Sequence, residues 1–187
     1  MTNRENIFKE IENYLTFIQL KLKNRNSLNL QDINIMAEDF FKDLFNIIFG
    51  YNLKNKNQST QNAPSIDLYD DENKIAIQVT SDNSREKINK TIELFINNKL
   101  YQKYKLMFII INDRLNYQKN FDTKGLFDFN QKEDIIFIIN LLNIIKSKEL
   151  NKQKEILEFL QNEISIPTLN KTNQFFTPPP PKPMPLS

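Results

Sequence analysis

Histidine and cysteine are absent from this 187-residue chain, and glycine occurs only at Gly50 and Gly125. Without His or Cys there can be no zinc finger, no Ser-His-Asp or Cys-His nucleophile and no histidine-based nuclease mechanism. Disulfides are excluded as well, which suits a reducing compartment. Two isolated glycines cannot form a Walker A loop or a dinucleotide fingerprint, because both need closely spaced glycines to let backbone N–H groups approach phosphate. Chemistry is left to carboxylates, Lys, Arg, Tyr, hydroxyls, amides, or a metal ion held by oxygen. An excess of one charge is missing too: 25 Lys and Arg face 23 Asp and Glu, a net charge of +2 that neither demands nor excludes nucleic acid. The longest apolar runs, 106–111 and 135–139, fall far short of the ~20 residues of a membrane helix. Residues 1–12 are polar and carry no signal-peptide core. The expectation is a soluble, cytoplasmic chain with no membrane partner.

The length fits one domain with a tail. Ile7, Ile11, Tyr14, Ile18 and Leu22 recur at helical spacing and predict a helix over 3–23. Ile33, Met36, Ala37, Phe40, Phe41, Leu44 and Ile48 predict a second, well-buried helix over 30–49, stopped by Gly50, with Glu38 on its flank. Residues 52–63 are polar and read as a loop. Asp82, Asn83 and Ser84 are helix-capping residues ahead of a helix over 85–99. The run 106–111 is apolar throughout, as a strand covered on both faces would be, so strand, helix and strand form a parallel crossover. Residues 121–129 read as a loop or short strand, 135–139 as a strand, and 140–146 and 149–163 as helices. The domain therefore spans 1–165. Residues 166–187 form a proline-rich tail, a linker or a docking peptide for a protein partner, with Phe175 and Phe176 as its apolar pair.

The segment 65–80 carries the most information. Ile75, Ile77 and Val79 alternate with Ala76, Gln78 and Thr80, the period of a strand with two different faces. A turn at 70–73 pairs Tyr69 with Lys74 and Asp67 with Ala76. Asp67, Gln78 and Thr80 then share one face. Read blandly, Asp67 and Glu38 are solvated or capping carboxylates, and Gln78 and Thr80 are the wet side of a strand.

Several segments together resemble the SMEK domain family of prokaryotic conflict proteins. They include Glu38 to Phe41, Gly50 to Leu53, Ile66-Asp67-Leu68, Ile75 to Ser81, Lys87-Ile88, Thr91-Ile92, Phe121-Asp122, Gly125 and Asp134 to Ile136. The resemblance covers about 3–164. It implies an α/β fold with a PD-(D/E)xK-like core: a central mixed sheet, hairpin plus parallel crossover strands, flanked by helices. It also implies a place in anti-phage defence proteins.

In such a core a divalent cation, Mg²⁺ or Mn²⁺, polarises the scissile phosphate and activates water. Asp67 stands for the anionic ligand, Gln78 for the usual Glu and Thr80 for the usual Lys. Glu38 offers a second carboxylate. Lys87 or Lys90 takes over the role of the missing strand lysine, and Arg85 contacts phosphate. Lys21, Lys23, Arg25, Lys54, Lys56, Lys99, Lys103 and Lys105 are solvated surface, or a phosphate track if they ring this face. Three functions compete. One is a metal-dependent nuclease acting on DNA or RNA. Another is an inactive adaptor binding nucleic acid or, through its tail, a protein. The third is a scaffold in which the stripes of the first and last helices pair two copies into a homo-oligomer.

Overall fold

The computed structural model describes residues 2–26, 32–56 and 66–166. The proline-rich tail, the predicted start of the second helix at 30–31 and most of the polar stretch 52–63 lie outside the described residues, as do the side chains of Arg25, Ile33 and Met36.

Helix α1 (Asn3–Asn26) starts with a capping box: Thr2 Oγ1 accepts from Glu5 N (3.2 Å), and Glu5 Oε2 accepts from Thr2 N (2.6 Å). Its buried stripe is Ile7, Ile11, Leu15 and Leu22. Leu15 replaces the expected Tyr14 and Ile18, which are only half-buried against the core. Helix α2 (Asp32–Phe49) buries Phe41, Leu44, Phe45 and Ile48. It ends where Gly50 takes φ +72° and donates its N–H to Asn46 O (2.9 Å), the left-handed stop that glycine adopts without a Cβ penalty.

The described strands form one five-stranded mixed sheet in the order β1 (Lys54–Asn55), β2 (Leu68–Asp70), β3 (Ile75–Thr80), β4 (Lys105–Ile110), β5 (Ile135–Phe137). The first two pairings are antiparallel, and β3–β4 and β4–β5 are parallel. Helix α3 (Arg85–Asn97) makes the crossover from β3 to β4. Helices α4 (Ile138–Ser147) and α5 (Leu150–Glu163) follow β5. The predicted strand 135–139 stops at Phe137, where the backbone N–H donates to Asn140 Oδ1 (3.3 Å) and the chain turns into α4.

The hairpin register differs from the expected one. Leu68 pairs with Ile77, Tyr69 with Ala76 and Asp70 with Ile75, so the turn is 71–74 and Asp67 falls opposite Gln78, not Ala76. Asp70 causes the shift. Its buried carboxylate accepts from Glu72 N (2.9 Å), Asn73 N (3.0 Å), Asn73 Nδ2 (2.8 Å) and Asn52 N (2.7 Å). Burial by itself would raise its pKa, but the bonds from Asn73, Asn52 and Glu72 overcome this and bring it down to about 2. Because the register shift is two residues, every side chain keeps its face.

One face of the sheet, carrying Ile75, Ile77, Val79, Met107 and Ile109, is covered by α1, α2, α4 and α5. The stripes of α1 and α5, considered above as a surface for a second copy, pack against each other. The opposite face carries Ala76, Leu106, Phe108, Ile110, Ile135 and Phe137, and is covered by α3 together with aromatic side chains from the β4–β5 connection. Residues 121–129 are loop; Phe121, Phe127 and Phe129 make edge-to-face contacts that link Phe95 of α3 with Phe108 of β4.

Candidate functional site

Asp67 stands just before β2, at the end of the sheet where β3 runs into α3. Its backbone is held in the sheet: N–H donates to Ile77 O (2.9 Å), and the carbonyl accepts from Lys56 N (2.8 Å). The side chain extends this pairing. Asp67 Oδ2 accepts from Val79 N (2.7 Å) and, in a short hydrogen bond, from Gln78 Nε2. A carboxylate oxygen thus satisfies a β3 amide where the backbone ladder stops. Gln78 Nε2 also donates to Val79 O (3.1 Å), which commits its amide nitrogen. Asp67 Oδ1 and Gln78 Oε1 accept no hydrogen bond from a described residue.

Glu38 approaches from α2 across β1. It is buried, and its Oε2 accepts from Asn55 Nδ2 (3.4 Å). Burial of Asp67 and the negative charge of Glu38 push the Asp67 pKa up to about 7. The hydrogen bonds from Val79 and Gln78 and the positive charge of Lys87 act the other way but do not win. Near neutral pH Asp67 is therefore poised between its acid and its base. Carboxylates with pKa values shifted this far cluster at functional sites.

The structure thus gathers Glu38, Asp67, Gln78 and Lys87 around the end of β3. Thr80 ends the strand, and its Oγ1 accepts from Asp82 N (3.0 Å), which uses the hydroxyl in the strand-to-helix turn. Ser84 is the N-cap of α3, accepting from Lys87 N (3.2 Å). Arg85 is turned away: it donates to Lys119 O (2.7 Å) and Asn120 O, and its guanidinium lies over the Phe121 ring (4.4 Å). Lys90 is exposed on α3. Three of the basic residues considered as a phosphate track are in ion pairs: Lys23 with Asp113, Lys103 with Asp71 and Lys105 with Asp134.

The family model of the SMEK domain matches residues 10–146. The chain belongs to the SMEK domain family. No curated protein and no solved structure matches it. In this SMEK domain the matched stretch holds every residue of the Asp67 cluster. Sequence reasoning missed Asn55, which binds Glu38, because a two-residue strand inside a polar stretch leaves no periodic signal. It missed the anchoring role of Asp70 too, although an Asp ahead of a polar turn is a known side-chain turn signal.

A hard cation needs oxygen ligands. The donors that fit are Asp67 Oδ1, the carboxylate of Glu38 and the amide oxygen of Gln78. Among the described residues no group of three acidic side chains converges as a metal cage. Two carboxylates and an amide suit a cation that keeps most of its water, as Mg²⁺ does.

Proposed function

We propose that this SMEK domain is a PD-(D/E)xK-like nuclease module of a prokaryotic anti-phage system, hydrolysing phosphodiester bonds in DNA or RNA with Mg²⁺ or Mn²⁺. The observation that carries the reading is the Asp67 carboxylate: wedged at the end of β3, bonded to Gln78, and raised toward neutrality by burial and by Glu38. A divalent cation at Asp67, Glu38 and Gln78 would supply Lewis acidity toward the phosphate and a more acidic bound water. The residues themselves contribute three things. Asp67 binds through Oδ1 while Val79 and Gln78 fix its other oxygen. Gln78 offers a neutral oxygen where a carboxylate would add charge. Lys87, at the capped start of α3, brings positive charge toward the same place and is the group suited to stabilise a phosphate oxygen.

The test is direct. Labelled DNA and RNA are incubated with the purified protein and Mn²⁺ or a chelator. Cutting is expected only with the metal, and Asp67→Asn, which keeps an acceptor for Val79 N–H, is expected to lower it at least about a hundredfold. Undiminished cutting by that variant would remove Asp67 from the reaction.

A second reading rests on its own observation. Gln78 and Thr80 supply neither the negative nor the positive charge that hydrolysis uses, and Thr80 Oγ1 is occupied by Asp82 N–H. The domain would then bind nucleic acid or a partner protein without cutting. It predicts salt-sensitive binding unaffected by Asp67→Asn and no metal-dependent products.

A further inference from the structure

Against β5, the edge strand of the sheet, lies a cleft of about 390 Å³ that runs from the turn before this strand to the first turn of α4. One wall is the loop that leaves β4, and the other is formed by Gln131, Lys132 and the first turn of α4. No Asp or Glu lines the cleft among the described residues. Two cations do, Arg114 and Lys132, both exposed and neither in an ion pair with a described carboxylate. The Asp next to Arg114, Asp113, is taken by Lys23 (2.8 Å).

The cleft also contains an unmet acceptor. Gln131 Nε2 donates to Tyr117 O (3.1 Å), which fixes which way the amide points. Its Oε1 is left buried with no donor. A buried acceptor without a partner is costly, and a donor that enters the cleft beside it would relieve that cost. Inorganic phosphate carries its P–OH donors on the same group that the two cations would hold. Nucleotides bring both parts: phosphate for Arg114 and Lys132, and an N–H or O–H of the base or sugar for Gln131.

The β4-side wall of the cleft is strapped to the start of α3, which follows the end of β3 that holds Asp67. Tyr117 donates its hydroxyl to Asn83 O (2.8 Å), Asn83 Nδ2 donates to Asp113 O (2.9 Å), and Asn112 Nδ2 donates to Ser81 O (3.1 Å). We infer that the cleft between Arg114, Lys132 and Gln131 is a nucleotide subsite, holding one unit of a single strand beside the Asp67 cluster. The inference rests on the nucleic-acid reading above and adds where the strand lies. A volume of this size admits one nucleotide and excludes a paired duplex.

Fluorescence anisotropy with a labelled single-stranded oligonucleotide, in chelator so that nothing is cut, tests it. A nucleoside monophosphate and inorganic phosphate serve as competitors. The wild-type protein is expected to bind the oligonucleotide. The monophosphate is expected to compete at least about tenfold better than phosphate, because it alone carries a donor apart from its phosphate that can turn to Gln131 while Arg114 and Lys132 hold the phosphate. The Arg114→Ala/Lys132→Ala variant, whose altered side chains are exposed, should keep its melting temperature. It should bind at least about tenfold more weakly, with a salt slope smaller by about 0.7 for each cation removed. Equal binding by that variant, equal competition by phosphate, or no oligonucleotide binding by the wild type each overturns the subsite. If the variant binds normally while Asp67-dependent cutting persists, the subsite fails and the nuclease reading stands. If the variant loses binding while no cutting occurs at all, the reverse holds.

Discussion

Asp67 does two jobs that pull in opposite directions. As an acceptor for Val79 N–H and Gln78 Nε2 it closes the hairpin; as a buried charge next to Glu38 it strains the same place. The consequence for stability has a definite sign. Its folded pKa, about 7, lies above the ordinary 3.8, so between those values the folded chain holds more protons than the unfolded one. Stability therefore falls as pH rises through that window and levels off above it. Asp67→Asn removes the titration and keeps an acceptor. Urea melts should show the variant gaining on the wild type from pH 4 upward, by on the order of 4 kcal/mol at pH 8, where the difference levels off. A stability difference that does not change with pH would mean that Asp67 is ionised throughout.

At the scale of elements, turn chemistry overrides strand pattern. Lys74 closes the hairpin at φ +55°, a conformation that costs an L-residue roughly 1 kcal/mol and glycine nothing. Lys74→Gly is therefore expected to raise the melting temperature by a few degrees, read by circular dichroism; a lower value would show that the Lys side chain itself holds the turn. This turn is also where sequence reading went astray. Alternation put Gln78 and Thr80 on one face of β3, and the hydrogen bond from Gln78 brings Asp67 to the same end of the strand. It could not place the turn, because the four donors that gather on Asp70 include Asn52, which is remote in sequence. For the same reason β1 was invisible: its position follows from Asn46, whose side chain accepts from Leu53 N (2.8 Å) and donates to Leu53 O (3.4 Å). Capping, by contrast, is local, and the start of α3 at Ser84 was readable from three consecutive polar residues. Lys87, one turn into that helix, came out near Asp67. Arg85 did not, since it turns to the carbonyls of Lys119 and Asn120, and the direction of a surface cation depends on loops that periodicity does not position.

At the scale of the molecule, the parallel pair β3–β4 is the centre and everything else is laid against it. Both strands are buried, with α2 and the α1–α5 pair on one side and α3 with its ring of phenylalanines on the other. Amides of β3 and β4 should then exchange with solvent last, and those of the two-residue edge strand β1 first, in a hydrogen-exchange experiment. Early exchange in β4 would contradict a core of this shape. The general plan was open to inspection in the sequence, because a fully apolar run after an amphipathic helix has few homes other than the middle of a parallel sheet. The flanking helix α1 was read with its stripe turned slightly, and Leu15 shows why: long helices bury whichever side their neighbours happen to offer.

The strand order carries a practical warning for anyone shortening the chain. Since β5 is the neighbour that shields the outer side of β4, a fragment ending before Ile135 would leave Leu106 to Ile110 with a bare margin of hydrocarbon and unmet amides. Such a margin is a template for sticking to other copies. Insolubility of that fragment would then come from the lost strand and from the face that α4 and α5 no longer cover, not from any failure of the hairpin that bears Asp67.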